Sequence, residues 1–105
     1  MSGNFARQLV DTLAAQGVRR SFGLVGHSLN PVVEPVRQSD DIEWIHVRNE
    51  EAAAFAAGAE PLVTGDPAVC AASCGPGNTH LLQGLYDAHR NGAKVLALAS
   101  HIPSR

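Results

Sequence analysis

The chain has 105 residues, of which 45% are apolar, 17% charged and 5% aromatic; this suits a single domain with helices packed on a sheet and argues against disorder or an all-β sandwich. A net charge of −2 gives no electrostatic basis for binding nucleic acid or an anionic membrane. No apolar run reaches membrane-spanning length, and Met1 to Arg7 lack the basic start and apolar middle of a signal peptide, so the expected location is the cytoplasm.

In chain order, Asn4 is placed to cap a first helix whose apolar face is Leu9, Val10, Leu13 and Ala14, and Gly17 closes it. Arg20 to Val25 reads as a short strand ending at Gly26-His27. A weak helix follows from about Ser28 to Gln38; Pro31 suits its first turn, and Pro35 shortens or kinks it. Asp40-Asp41 makes a turn, and Ile42 to Val47 is a second strand. The next helix opens at Glu50 and is expected to end near Glu60, where Pro61 limits it. After the Gly65-Asp66-Pro67 turn, Ala68 to Ala72 is a wholly apolar strand. A loop from Ser73 to Asn78, with Asn78 as candidate cap, leads into a helix with Leu81, Leu82, Leu85 and Ala88 on one face. Gly92 ends that helix, Lys94 to Ala99 is the last strand, and His101 to Arg105 is a ragged tail.

Helices and strands alternate, and two strands are apolar on both faces. That pattern predicts a three-layer α/β/α domain with a mainly parallel sheet. Ligands of such sheets gather beyond the carboxyl ends of the strands. Three loops lie at such ends: Gly26-His27, Asn49-Glu50 and Ser73 to Asn78.

Glu50 is the first candidate for chemistry. It opens an alanine-rich helix, where the helix dipole favours its charge while apolar neighbours remove water from it. It reads either as a helix-start charge or as a tuned proton-relay carboxylate; Glu51 beside it suits the plainer role. In Cys74-Gly75-Pro76-Gly77-Asn78, two glycines around a proline allow a ligand close to the backbone, and amides at the following helix start can meet an anion. The same loop also reads as an ordinary strand-to-helix turn. It lacks the Gly-Lys-Ser/Thr ending of a phosphate-binding P-loop and the Gly-x-Gly-x-x-Gly of a dinucleotide site. His27 and His80 fall near the ligand edge, whereas His46, His89 and His101 read as surface or strand-end residues. Cys70 and Cys74 have the wrong spacing for a zinc knuckle and no second pair, so free thiols and no metal site are expected.

The segments Phe22 to Gly26, Arg48 to Glu60, Ala68 to Ala71, Ser73 to Asn78, His89 to Asn91 and His101 to Ser104 together resemble the N-terminal pyrimidine-binding domain of thiamine diphosphate-dependent enzymes. The resemblance lies within the pyruvate oxidase and acetolactate synthase group, with pyruvate oxidase and quinone-dependent pyruvate dehydrogenase as the nearest branch. It covers nearly the whole chain. It implies that Glu50 is the catalytic glutamate, hydrogen-bonded to the cofactor's aminopyrimidine. Val25, Gly26, Ser73, Pro76, Gly77 and His80 would then pack around that ring. It further implies decarboxylation of a 2-keto acid such as pyruvate, and a homo-oligomer or pairing with a diphosphate-binding domain. Magnesium and FAD are expected in the complete enzyme, held by domains outside this chain.

The chain departs from the family in carrying Asn49 where many relatives have histidine, His27 where they often have glycine or aspartate, and Pro61 late in the Glu50 helix. It lacks the Gly-Asp-Gly…Asn motif that anchors diphosphate and magnesium. Residues 1–105 are therefore expected to be an incomplete, C-terminally truncated pyrimidine domain, inactive in isolation. The alternatives are a non-catalytic interaction or assembly module, a truncated gene product retaining the fold, and a small-nucleotide binder at the Ser73 to Asn78 loop.

Overall fold

The computed structural model describes residues 2–101, with the backbone alone at residues 2–4 and 27; the expected tail beyond His101 lies outside the described residues. The elements are α1 (Ser2–Ala15), β1 (Arg20–Gly23), α2 (Asn30–Gln38), β2 (Glu43–His46), α3 (Glu50–Thr64), β3 (Ala68–Ala72), α4 (Pro76–His80), α5 (Leu82–Arg90) and β4 (Val95–Ala99). The four strands are all parallel, in the order β2-β1-β3-β4, with Phe22 opposite both Ile45 and Cys70. Helices cover both faces, which makes the predicted three-layer parallel α/β/α domain.

The two faces are packed differently. On one, α3 and α5 meet the sheet through Ala53, Ala54, Ala57, Leu81 and the strand residues Phe22, Ala68, Cys70 and Ala72. On the other, Val10 of α1 and Val36 of α2 pack with Val18, Ile42 and Val69. β3, central and buried along its whole length, serves both faces through alternate side chains. Small residues let α3 and α5 approach closely. A Cβ added at Gly84 would stand 2.4 Å from the Ala54 Cβ and 2.6 Å from α3 backbone, too near for any side chain.

Several boundaries differ from the sequence reading. α1 begins at Ser2, so Asn4 lies inside the helix and does not cap it. β1 stops at Gly23 because strand pairing to both neighbours ends there. A single 3-10 turn, His27–Leu29, then precedes α2. α3 continues through Pro61 to Thr64. Pro61 removes one donor to the Ala57 carbonyl, but it stands in the last turn, where little helix is left to disrupt. That turn is held by Gly65 N–H donating to the Pro61 carbonyl at 2.9 Å, with Gly65 at φ 84, and by an ion pair from Arg20 to Glu60.

After β3, Gly75 (φ 77) turns the chain and Pro76 opens a helix at once, which places Asn78 within α4 and not at its cap. The expected single helix is split at Leu81, whose N–H donates to the Asn78 carbonyl and tightens the turn. The split rotates the apolar face: Leu81 and Ala88 are buried, Leu82 is 48% exposed, and Gly84 faces α3 instead. β4 reads as apolar on both faces, yet it is the edge strand and leaves Leu96 exposed.

Candidate functional site

The carboxyl ends of β1, β2 and β3 bring the three predicted loops to one edge of the sheet. At β2, the chain leaves the strand through Val47 and enters α3 at Asn49, whose side chain accepts a hydrogen bond from Glu51 N–H at 2.7 Å. That cap fixes Glu50 as the first helical residue, where the positive end of the helix dipole favours a carboxylate. The Glu50 side chain is only 17% exposed. Its Oε1 lies 3.2 Å from His80 Nδ1 at the end of α4, while Oε2 has no hydrogen-bond partner among the described residues.

Gly77 sits beneath this carboxylate. A Cβ placed there would be 3.1 Å from Glu50 Oε2 and 3.6 Å from the Ala72 Cβ, so glycine keeps the free oxygen clear. Pro76 is exposed and starts α4, which carries both Gly77 and His80. A cavity of about 200 Å³, lined by Asn49, Glu51, Thr79, His80 and Gln83, opens beside the pair. His80 itself is 53% exposed, so one end of the pair faces solvent.

Gly26 and Ser73 form a second group on the same edge. A Cβ at Gly26 would stand 2.7 Å from Ser73 Oγ, so the turn after β1 can lie on the Ser73 loop only without a side chain. Ser73 Oγ is 2.9 Å from Ser28 Oγ. Val25 is exposed beyond the end of β1. His27 opens the 3-10 turn, and its side chain lies outside the described residues. His46 and His89 are exposed, on β2 and α5.

Three contributions were not legible in the sequence. Ser28, Ser100 and the Asn78 amide tie the strand ends together, as lone polar residues with no distinguishing spacing. Asn49 did carry a signal, since an asparagine immediately before a helix start is the pattern of an N-cap.

Both cysteines are free: Cys70 is buried in the sheet and Cys74 half-buried in the loop. Burial pushes the Cys70 thiol up from 9.0 to about 11, which keeps it protonated. His80 pairs with Glu50, and among the described residues no hydrogen bond joins it to Cys74. Among the described residues no group of three or more His, Cys, Asp and Glu side chains could hold a metal ion. Nor is any helix there long and apolar enough to cross a membrane.

A larger cavity lies elsewhere. It measures about 690 Å³, at the amino ends of β1 and β2, and Arg19, Arg20, Asp40, Asp41, Glu43 and Asp66 help to line it. Charges of both signs ring it, and it opens at the amino ends of the strands, on the opposite side of the sheet from the edge where parallel sheets bind ligands. The smaller Glu50 edge is therefore the better candidate, and it lies where parallel sheets bind ligands.

Residues 3–105 match the family described as thiamine pyrophosphate enzyme, N-terminal TPP binding domain. The chain is 58% identical over 96 residues to an uncharacterized 42.6 kDa protein in the isoamylase 3′ region of Pseudomonas amyloderamosa, covering 91% of this chain and 24% of that protein. It is 43% identical over 91 residues to pyruvate oxidase of Lactiplantibacillus plantarum, covering 86% of this chain and 15% of the oxidase. With acetolactate synthase of Arthrospira platensis it shares 37% identity over 106 residues, or 98% of this chain and 18% of the synthase. The chain thus spans between 15% and 24% of the length of these relatives. By this match along almost its whole length, and by its parallel α/β/α fold, the chain belongs to the family of N-terminal TPP-binding domains of thiamine pyrophosphate enzymes.

Proposed function

We propose that this chain is the pyrimidine-binding part of a pyruvate oxidase-like enzyme that decarboxylates a 2-keto acid, and that Glu50 is its catalytic carboxylate. One observation carries the reading: Glu50 is half-buried at the carboxyl edge, with Oε1 held by His80 and Oε2, over Gly77, without a partner among the described residues. The residues present fit an aminopyrimidine. A free carboxylate oxygen can share a proton with a ring nitrogen, and Gly77 puts no side chain against that oxygen.

In this reading Glu50 binds the ring nitrogen through Oε2 and holds the proton that sets the ring's tautomer. His80 fixes the carboxylate through Oε1 and, being partly exposed, connects it to solvent. Val25, Gly26, Ser73, Pro76 and Gly77 supply the surface on which the ring lies. When bound, thiamine diphosphate supplies the carbon nucleophile and the electron sink for decarboxylation; the chain's part is to place the ring and its proton.

Residues 1–105 would form the pyrimidine-binding domain, incomplete as a catalyst. The diphosphate with its magnesium, and FAD, would be held by other parts of a cytoplasmic homo-oligomeric enzyme or by a paired diphosphate-binding domain. The share of 15% to 24% of the relatives' length supports that division. So does an outer helix face that leaves Phe55, Leu62, Val63, Leu82 and Tyr86 exposed, the kind of surface that packs on a partner.

Two measurements test the proposal. The purified chain supplied with thiamine diphosphate, magnesium and pyruvate should release no carbon dioxide above background. Magnesium-dependent decarboxylation that disappears in Glu50→Gln would overturn that part. Calorimetry should show thiamine diphosphate binding in preference to simple nucleotides, weakened about tenfold or more by Glu50→Gln through loss of a charge-assisted hydrogen bond. Equal binding of nucleotides would favour a general phosphate binder at the Ser73 to Asn78 loop.

A further inference from the structure

A chain of hydroxyls behind the candidate site has its direction fixed by what it touches. Ser100 Oγ lies 2.7 Å from the Ala72 carbonyl oxygen, which can only accept, so the single Ser100 hydroxyl proton is committed there. Ser28 Oγ lies 2.7 Å from Ser100 Oγ, and since Ser100 has only lone pairs left, Ser28 is the donor. The Ser28 proton is then spent, so Ser73 must donate across the 2.9 Å that separates it from Ser28. Cys74 N–H donates to the same Ser28 oxygen at 3.2 Å. Ser28 therefore gives one hydrogen bond and accepts two, which is the full capacity of a hydroxyl.

The three partners of Ser28 belong to two other strand ends. Ser28 lies in the 3-10 turn after β1, Ser73 and Cys74 follow β3, and Ser100 follows β4. Asn78 strengthens the last junction, its Nδ2 donating to the Ser100 carbonyl at 2.7 Å. At Gly26, two residues before Ser28, an added Cβ would meet Ser73 Oγ at 2.7 Å, so the turn is pressed on the β3 loop at two points.

We infer that Ser28 is a positioning residue: its hydroxyl sets the direction Ser73→Ser28→Ser100→Ala72, docks the Gly26 turn on the Ser73–Gly77 loop, and leaves Ser73 Oγ able only to accept. Any group that meets Ser73 from the ligand edge must then bring an N–H or O–H donor; a carboxylate or carbonyl there would face lone pairs. The link to a bound ring rests on the proposed function, but the direction of the hydroxyl chain does not.

The test uses the 15N-labelled 105-residue chain and two readouts, amide hydrogen exchange and thiamine diphosphate titration. In Ser28→Ala, exchange at Cys74 should quicken about tenfold relative to Ala71 in β3, the factor expected for one lost hydrogen bond. Ser73→Ala and Ser100→Ala should leave Cys74 within about twofold of wild type, since neither hydroxyl bonds that amide. Thiamine diphosphate affinity should fall about fivefold or more in Ser28→Ala at a temperature where the variant is fully folded, which lost stability alone would not cause. The inference is overturned if Cys74 stays protected in Ser28→Ala, if Ala71 loses protection equally, or if thiamine diphosphate affinity is unchanged in a Ser28→Ala chain whose Cys74 has been released. It also fails if Ser73→Ala or Ser100→Ala alone releases Cys74, a comparison that holds even should Ser28→Ala not fold. A wild-type chain that ignores millimolar thiamine diphosphate would count against the cofactor reading, while the Cys74 comparison would still decide the role of Ser28.

Discussion

The two faces of the sheet solve different problems. The α1/α2 face is filled by branched side chains, Val10, Val18, Val36, Ile42 and Val69, and it reaches the site only through the turn that carries Gly26 and Ser28. The α3/α5 face is built from alanine and glycine, and it holds Glu50, Gly77 and His80. Small residues bring α3 within backbone contact of α5, so the helix bearing Glu50 has little freedom to move. Rigidity at the proposed proton-handling group comes from close approach of backbones; ordinary burial of bulk serves the other face.

The largest effect should come from Gly84→Ala. Its new methyl would stand 2.6 Å from α3 backbone, so α3 must shift. Overpacking should cost about 3 kcal/mol, outweighing the roughly 1 kcal/mol that alanine gains in helix propensity. Gly58→Ala, whose Cβ would approach Ala88 no closer than 3.3 Å, at that residue's Cβ, should change stability far less. Urea unfolding of the two variants breaks the comparison if they come out alike.

Next is the pH dependence of the same face. The Cys70 thiol titrates at about 11 in the folded chain, against 9.0 ordinarily, so the folded state binds the proton more tightly. Its contribution is fully present below about pH 9 and is lost as pH rises toward 11, roughly 2–3 kcal/mol in all. Melting at pH 8 and pH 10.5 should show a fall in wild type that is smaller in Cys70→Ala.

On the other face, Val36→Ala should cost about 2 kcal/mol by the lost transfer energy and the cavity left behind, without altering the Glu50 edge. A change in the amide shifts of Glu50 or Gly77 in that variant would mean the faces are not independent. Smallest is Asn49→Ala, which removes the cap on Glu51 N–H and should cost about 1 kcal/mol.

Much of this was readable from the chain. The wholly apolar run Ala68 to Ala72 announced a central parallel strand, and its bounds are those of β3. Glu50 at the head of an alanine helix, and glycines at the strand ends, located the edge. What escaped was set by tertiary contact. Pro61 was read as a stop, yet Gly65 and the Arg20–Glu60 pair carry α3 past it. Leu82 looked like core by its spacing, but the break at Leu81 turns it outward and gives Gly84 the inner position. Ser28 had no local signature at all, since its importance lies in three partners 45, 46 and 72 residues away.

The central claim is that Glu50, at the small-residue face, meets the pyrimidine ring. Titrating the 15N-labelled chain with thiamine diphosphate tests it most directly, with the amides of Glu50, Gly77 and His80 followed beside those of Arg20, Asp41 and Glu43 at the larger cavity. The account predicts shifts confined to the first set, and an affinity lowered about tenfold by Glu50→Gln. Shifts centred on the second set, or equal affinity in Glu50→Gln, would contradict it.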